Sequence, residues 1–141
     1  MSNNGNHPSK RVNEDALSYE DDALCFAGEP FTGIGYSEFP DGQLRREIHY
    51  VNGFPEGHCQ EWYANGQLHS TWIALRGVAP AEMTEWYEDG LVKSLSHREH
   101  GIEVEYKEWN TSGELIVHRE LQIGSSMHTV LTRMRKLKGT V

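Results

Sequence analysis

The sequence predicts an all-β fold in which tandem β-hairpins of roughly 24 residues stack into one extended antiparallel sheet. Three observations lead to this prediction: a glycine recurs at a nearly constant period, aromatic residues precede each such glycine, and an aliphatic residue follows at a fixed offset. The length of 141 residues suits a single domain. Hydrophobic residues make up 37% of the chain, below the globular average, and the thin core that this allows suits an extended repeat.

The repeat period is marked by four turn glycines. They lie 24, 24 and 23 residues apart, at Gly42, Gly66, Gly90 and Gly113. A second glycine follows each of these after 11 residues, at Gly53, Gly77, Gly101 and Gly124. Asp22 and Gly33 are also 11 residues apart and extend the pattern upstream. The sequence therefore predicts about five hairpin units between residues 14 and 124, the first of them imperfect.

The residues around each turn glycine favour β-strands. Aromatic side chains come shortly before the glycine, at Phe39, Trp62, Tyr63, Trp86, Tyr87 and Trp109. An aliphatic residue follows two positions after it, at Leu44, Leu68, Val92 and Leu115. An aromatic run, an Asp-Gly or Asn-Gly turn and an aliphatic run together indicate a β-hairpin. Glycine is favoured in such a turn because the backbone adopts a positive φ there.

Two turn geometries compete, and they place different residues opposite one another. A two-residue loop pairs Trp62 with His69, whereas a three-residue loop with a bulged glycine pairs Trp62 with Leu68. We favour the longer loop, because Pro40 suits the first corner of the type I turn inside it. The longer loop also creates two cross-strand pairs of complementary charge: Glu85 with Lys93, and Glu61 with His69.

This register assigns the side chains to two faces of the sheet. One face is predicted to carry a tryptophan column, its aliphatic partners and three further apolar residues: Trp62, Trp86, Trp109, Leu68, Val92, Leu115, Ile48, Tyr50 and Trp72. The other is predicted to carry two tyrosines and an acidic column: Tyr63, Tyr87, Glu61, Glu85 and Glu108. Repeated tryptophans usually form core, but a single-layer sheet leaves one face for the chain's termini or a partner to cover. Both sets of residues are therefore candidates for partner binding.

The two ends of the chain differ in composition. Residues 1–13 are rich in Asn, Ser, Gly and Pro and are predicted to form a disordered N-terminal tail. Residues 125–141 form a basic, amphipathic segment with apolar residues at helical spacing: Met127, Val130, Leu131, Met134 and Leu137. We expect a short helix here that caps the sheet against edge pairing, with a further strand as the alternative.

Charge is unevenly distributed along the chain, whose net charge is −8. Residues 1–24 carry 2 basic and 5 acidic side chains, residues 25–120 carry 7 and 16, and residues 121–141 carry 4 and none, which gives −3, −9 and +4. The acidic middle repels phosphate backbones and anionic headgroups, so a basic protein is a better partner than nucleic acid or a membrane. No apolar run could cross a bilayer and the first residues lack a signal-peptide core, so we expect a cytoplasmic protein. In that compartment Cys25 and Cys59 are expected to be free thiols.

The sequence offers no arrangement of residues that predicts catalysis, a cofactor or a metal. His97 and His100 have a spacing that chelates metals on a helix, but this segment is predicted to be strand and loop. Cys59 follows His58, yet adjacent strand residues point to opposite faces and cannot form a nucleophile–base pair. We therefore expect a non-catalytic protein.

Three segments resemble a known repeat family: EFPDGQLRR at residues 38–46, EWYANGQLHS at 61–70 and EWYEDGLVKS at 85–94. They resemble the MORN-variant repeat, whose units contain an aromatic pair, an Asn-Gly or Asp-Gly turn and a Gln-Leu pair. A chain built almost wholly from such units, here over residues 17–124, is similar to the YwqK-type antitoxin family.

That resemblance implies a function in protein binding. In the YwqK-type family the repeat protein is regarded as the immunity partner of a toxin, so we expect an antitoxin that binds a basic protein toxin through its repeat sheet. The alternative is a non-catalytic scaffold or a membrane-associated interaction module, because a fold does not fix a function. The chain departs from the repeat pattern at Glu38, at Asn110 and over residues 78–81. The outer units therefore present different residues from the central ones.

Overall fold

β-Hairpins make up most of the computed structural model, which describes residues 10–138. The strands, in chain order, are β1 Arg11–Asn13, β2 Ser18–Glu20, β3 Ala23–Phe26, β4 Glu29–Pro30, β5 Gly33–Glu38, β6 Leu44–Val51, β7 Phe54–Trp62, β8 Leu68–Ala74, β9 Glu82–Trp86, β10 Val92–Glu99, β11 Ile102–Trp109 and β12 Leu115–Glu120. A 3-10 turn spans Glu14–Ala16 and a helix, α1, spans Ser126–Leu137. The predicted all-β fold with a short C-terminal helix is confirmed.

Nine strands form the main sheet, in the order β1-β5-β6-β7-β8-β9-β10-β11-β12. From β5 to β12, each strand pairs antiparallel with the next one in sequence. Four hairpins therefore lie side by side: β5–β6, β7–β8, β9–β10 and β11–β12. This is the extended sheet that the glycine period predicts, in which each hairpin is stabilised by its neighbours.

The N-terminal residues depart from the predicted repeat. Strands β2, β3 and β4 form a separate three-stranded sheet, so the imperfect first unit is not a hairpin of the main sheet. Its strands are too short for that role, since β2 has 3 residues and β4 has 2, against 8 in β6. Arg11–Asn13, predicted as disordered, instead pair in parallel with β5, and Arg11 forms an ion pair with Glu47. Residues 1–9 of the predicted tail lie outside the described residues.

Each repeat turn has three loop residues and a bulged glycine, as predicted. In the second hairpin the N–H of Tyr63 donates to the carbonyl of Gln67 at 2.8 Å, and the N–H of Gly66 donates to the carbonyl of Tyr63 at 3.0 Å. Gly66 has a φ of +88°, which only glycine adopts without strain. The Asn65 side chain accepts from the N–H of Gln67 at 2.9 Å and so holds the turn. The same two backbone bonds recur in the other three hairpins.

A second bulge in each hairpin changes the register beyond the turn. Trp62 lies opposite Leu68, as predicted, but Glu61 lies opposite Ser70 and not opposite His69. The third and fourth hairpins shift in the same way: Glu85 pairs with Ser94 instead of Lys93, and Glu108 pairs with Val117. The predicted Glu–His and Glu–Lys pairs are therefore wrong. An extra residue in the second strand of each hairpin reverses the facing of every side chain that follows it.

The two faces of the main sheet follow from this register. The inner face carries Ile48, Cys59 and Trp72, which lie opposite one another across β6, β7 and β8. The acidic column shares the inner face, because Glu61 is two residues beyond Cys59 on the same strand. The open face is the opposite side of the sheet, and it carries the tryptophan column: Trp62, Trp86 and Trp109.

One part of the predicted face assignment is therefore wrong. Ile48, Tyr50 and Trp72 do not continue the tryptophan column but lie on the opposite, inner face. The separation of the tryptophan column from the acidic column is correct. The error comes from the second bulge of each hairpin. Its extra residue lies between the turn and these three residues, and it reverses the face of the sheet to which they point.

The hydrophobic core lies between the inner face of β5–β8 and the N-terminal segment. Its buried residues are Leu24, Phe31, Ile48, Tyr50, Cys59 and Ala74, with Val12, Leu17, Phe26 and Trp72 packed against them. The small sheet approaches closely at Gly53, where an added Cβ would meet the Cβ of Ala23 at 2.7 Å. Burial in this core raises the pKa of Tyr50 to about 12. The core thus covers only part of one face.

Helix α1 lies against the end of β10 rather than along the edge strand. The side chain of Ser125 caps its N-terminus by accepting from the N–H of His128. Leu131 is fully buried, and Arg135 donates to both carboxylate oxygens of Glu99, at 2.7 and 2.8 Å. The predicted helix is confirmed, but β12 stays exposed along its length, with Leu115 50% accessible. No helix within residues 10–138 is both long and apolar enough to span a membrane.

Candidate functional site

The two predicted tyrosines connect neighbouring hairpins. The hydroxyl of Tyr63 donates to the backbone carbonyl of Trp86 at 2.7 Å, and that of Tyr87 donates to the carbonyl of Trp109 at 2.8 Å. Both side chains are half-buried. The two bonds are equivalent, because Tyr63 and Tyr87 occupy the same place in successive repeats, as do the accepting residues Trp86 and Trp109. The tyrosines therefore hold the repeat stack together.

The acidic column is occupied by contacts within the chain. Glu61 lies 3.6 Å from the guanidinium of Arg46, whose other nitrogen pairs with Glu14 at 2.7 Å. The hydrogen bond to Glu14 raises the pKa of Arg46. Glu85 accepts a hydrogen bond of 3.0 Å from the hydroxyl of the buried Ser94. All three members of the column, Glu61, Glu85 and Glu108, are half-buried, so they present less free charge to a partner than the sequence alone indicates.

The tryptophan column lies outside the core, on the open face. Trp62, Trp86 and Trp109 are half-buried, and none of them belongs to the core cluster of the described residues. Their aliphatic cross-strand partners share this face, and Leu115, opposite Trp109, is half exposed. Leu95 lies on the same face, opposite Thr84 and Lys107, with 39% of its surface accessible. The open face is thus an apolar stripe that the chain itself does not cover over β9–β12.

An acidic row borders this stripe, and the sequence reasoning missed it. Register places Glu82, His97, Glu105 and Glu120 opposite one another across β9, β10, β11 and β12. Their side chains are largely accessible, 62% for Glu82 and 59% for Glu120. Counting back in steps of two from Trp86 reaches Glu82, and from Trp109 it reaches Glu105. The period of two was therefore the signal that identifies them.

His118 lies between two of these carboxylates. Its Nε2 atom is 3.2 Å from an oxygen of Glu105 and 3.1 Å from an oxygen of Glu120. The hydrogen bond to His118 lowers the pKa of Glu105. These three side chains bring one donor atom each to within 4.8 Å of one another, a spacing that could accommodate a metal ion.

The cysteines behave as the sequence predicts. Cys25 and Cys59 are both buried and free. Burial raises the pKa of Cys59, which is only 1% accessible. The neighbouring His58 is exposed on the other side of β7. Cys59 and His58 therefore do not form a nucleophile–base pair.

A groove of about 960 Å³ lies between α1 and the loop after β8. Leu75, Val78 and Met134 form its apolar lining, and Arg98 and Lys138 contribute positive charge. None of the residues predicted to bind a partner lines this groove. The groove is therefore separate from the tryptophan column.

Comparison with known families supports the repeat assignment. Residues 31–52 and 55–72 match the family described as MORN repeat variant. These two segments correspond to β5–β6 and to most of β7–β8. The first two hairpins of the main sheet are thus similar to MORN-variant repeats. The two later hairpins have the same turn hydrogen bonds and the same register shift as these two. Repeats of this family indicate a module for protein interaction.

Two solved structures are similar to the chain at low TM-score. The Glycosylation Associate Protein (Gap123) complex from Streptococcus agalactiae is 16% identical, with a TM-score of 0.36. Accessory secretory protein 1,2 and 3 in Streptococcus pneumoniae is 23% identical, with a TM-score of 0.24. Each match covers 86% of this chain and 21% of the other, so the chain spans about a fifth of those structures. No curated protein matches the sequence.

Proposed function

We propose that the protein is a cytoplasmic immunity protein, which neutralises a protein toxin by binding it through the repeat sheet without catalysis. The tryptophan column carries this proposal: it is half-buried and lies outside the core, and an aromatic stripe on a face that the core leaves uncovered is a typical contact surface. The resemblance of the repeats to the YwqK-type antitoxin family suggests the class of partner. The net charge of −8 favours a basic one.

The open face has the size and chemistry for such a partner. Seven strands, β6 to β12, at a spacing of about 4.8 Å and with about seven residues each, present a face of roughly 34 by 23 Å. That is about 800 Å², close to what one partner buries in a standard interface. An apolar stripe along the column would supply binding energy, and the bordering Glu82, Glu105 and Glu120 would attract basic side chains.

A growth assay tests this proposal. The gene next to this one in its genome is expressed with and without the protein, and growth is recorded. We expect the neighbour alone to stop growth and coexpression to restore it. A folded Leu95→Arg variant, which places a long charged side chain at the centre of the open face, is expected to lose the rescue. A harmless neighbour, or rescue that the variant retains, would contradict the proposal.

The exposed edge of β12 favours a second candidate function, self-association as a scaffold. An edge strand with unpaired backbone groups can pair with another chain, and Leu115 and Ile116 on it are 50% and 56% accessible. Light scattering on the purified protein distinguishes the two functions. A stable oligomer without any partner supports the scaffold, whereas a monomer supports the immunity protein.

A further inference from the structure

We propose that Glu105, His118 and Glu120 form a binding site for a divalent transition-metal ion, with Zn²⁺ as its preferred occupant. Imidazole nitrogen and carboxylate oxygen are both zinc ligands. The Nε2 atom of His118 lies 3.2 Å and 3.1 Å from the nearest oxygens of the two glutamates. Donor atoms around a tetrahedral zinc ion, at bond lengths of about 2.0–2.1 Å, are separated by roughly 3.3 Å. Two of the three donor–donor distances therefore already match a zinc site, and all three lie within 4.8 Å.

Strand pairing fixes this arrangement. Glu105 on β11 lies directly opposite Glu120 on β12. His118 precedes Glu120 by two residues on the same strand and therefore shares its face. All three ligands thus come from one antiparallel pair of strands, and little chain ordering is needed when the ion binds.

Electrostatics in this cluster favour an added cation. Two carboxylates directly opposite each other on a sheet repel. His118 offers one Nε2 atom to both of them, and a single N–H cannot fully satisfy two acceptors. A divalent ion would balance both charges and accept the lone pair of the neutral imidazole.

A second imidazole, that of His97, lies next to the cluster. His97 lies opposite Glu105 on the other side, on β10. Its Nδ1 atom lies 2.7 Å from a carboxylate oxygen of Glu82. Its Nε2 atom lies 3.7 Å from a carboxylate oxygen of Glu99, so both ring nitrogens of His97 face carboxylates. The cluster thus has a second imidazole within one strand spacing.

Solvent reaches the cluster, because the side chains of His118, Glu105 and Glu120 are 39%, 42% and 59% accessible. Three protein ligands leave at least one coordination position for water or for a ligand from another molecule. Zinc sites of that composition are open sites rather than closed structural ones.

Calorimetric titration of the complete protein with ZnCl₂ tests the site without any toxin, so its outcome is separate from that of the proposed function. We expect one ion to bind per chain, and MgCl₂ to give no comparable heat because magnesium prefers oxygen ligands in octahedral geometry. His118→Ala and Glu120→Gln should each weaken zinc binding more than about tenfold, since loss even of an outer-shell partner costs about 10–100-fold.

His58→Ala is the matched control, because His58 is an exposed histidine on β7, away from the cluster. It should bind zinc like the wild type. Circular dichroism confirms that each variant is folded. Absence of zinc binding by the wild-type protein would overturn the proposal. Equal affinity of the wild type and folded His118→Ala would do so too, because the ion would then be bound elsewhere.

Discussion

Removing the hydroxyls of Tyr63 and Tyr87 should loosen the contact between successive repeats. These hydroxyls donate to the carbonyls of Trp86 and Trp109 at 2.7 and 2.8 Å. A hydrogen bond of this type contributes about 0.5–1.5 kcal/mol. The two bonds lie two strands, or about 10 Å, apart, so their effects should add. We therefore expect the variant with both Tyr→Phe substitutions to lose about 1–3 kcal/mol of unfolding free energy.

Urea unfolding followed by tryptophan fluorescence measures this loss. The midpoint should fall while the slope stays unchanged, because the substitutions alter stability and not the exposed area. In thermal melts the loss corresponds to a shift of roughly 3–9 °C for a chain of this size. Tyr19→Phe is the control, since Tyr19 is 75% accessible and its variant should unfold like the wild type. If the double variant also unfolds like the wild type, the tyrosines do not hold the repeats together.

Three further predictions concern the core, the helix and acid stability. Leu131→Ala should lower the free energy of unfolding in urea by about 2–5 kcal/mol, because this fully buried leucine anchors α1. A loss below about 1 kcal/mol would contradict that role. Cys59 should react with Ellman's reagent only as fast as the protein unfolds, since burial both hides the thiol and raises its pKa, and rapid labelling of the native protein would refute its burial. Hydrogen bonding to Arg135 lowers the pKa of Glu99 below its ordinary 4.5, so this group stabilises the fold above that value and loses its contribution as the pH falls through the lowered pKa. Glu99→Gln should therefore be less stable than the wild type at about pH 7 and similar to it at about pH 2, as measured by urea midpoints; a constant difference would argue against the ion pair.

The turns of this fold could be predicted from the sequence because they depend on local backbone chemistry. Gly66 follows Asn65 in a turn that requires a positive φ, and each copy of that signal recurs at a fixed period. The pairing of Trp62 with Leu68 follows directly from the loop length. Such features involve fewer than ten neighbouring residues, so a single sequence contains the information.

The second bulge could not be predicted, because no residue type requires it. His69 and Lys93 have suitable charges to pair with Glu61 and Glu85, and simple alternation places them opposite. In the structure Ser70 and Ser94 take those positions and are almost fully buried. The choice depends on packing against neighbouring strands, which acts across the sheet and not along the chain. One extra residue in the second strand of each hairpin then placed Ile48 and Trp72 on the same face as the acidic column.

The N-terminal segment was also beyond local reasoning. Arg11–Asn13 form a strand only because the edge of β5 is available to them and Glu47 pairs with Arg11. Leu24 and Phe31 cover the inner face through contacts with residues far along the chain. Their sequence shows neither the repeat period nor a long alternating run. Tertiary contacts therefore decide this part of the fold.

The central claim is that the open face of the repeat sheet binds a protein toxin, and surface plasmon resonance with the purified toxin from the neighbouring gene tests it most directly. Leu95→Arg changes a leucine on the open face that is 39% accessible. Leu91→Arg is the matched control, since Leu91 is 43% accessible but lies in a turn. We expect Leu95→Arg to raise the dissociation constant at least about tenfold, the equivalent of about 1.4 kcal/mol, and Leu91→Arg to leave it within about threefold of the wild type. Equal affinities for all three folded proteins would contradict the claim.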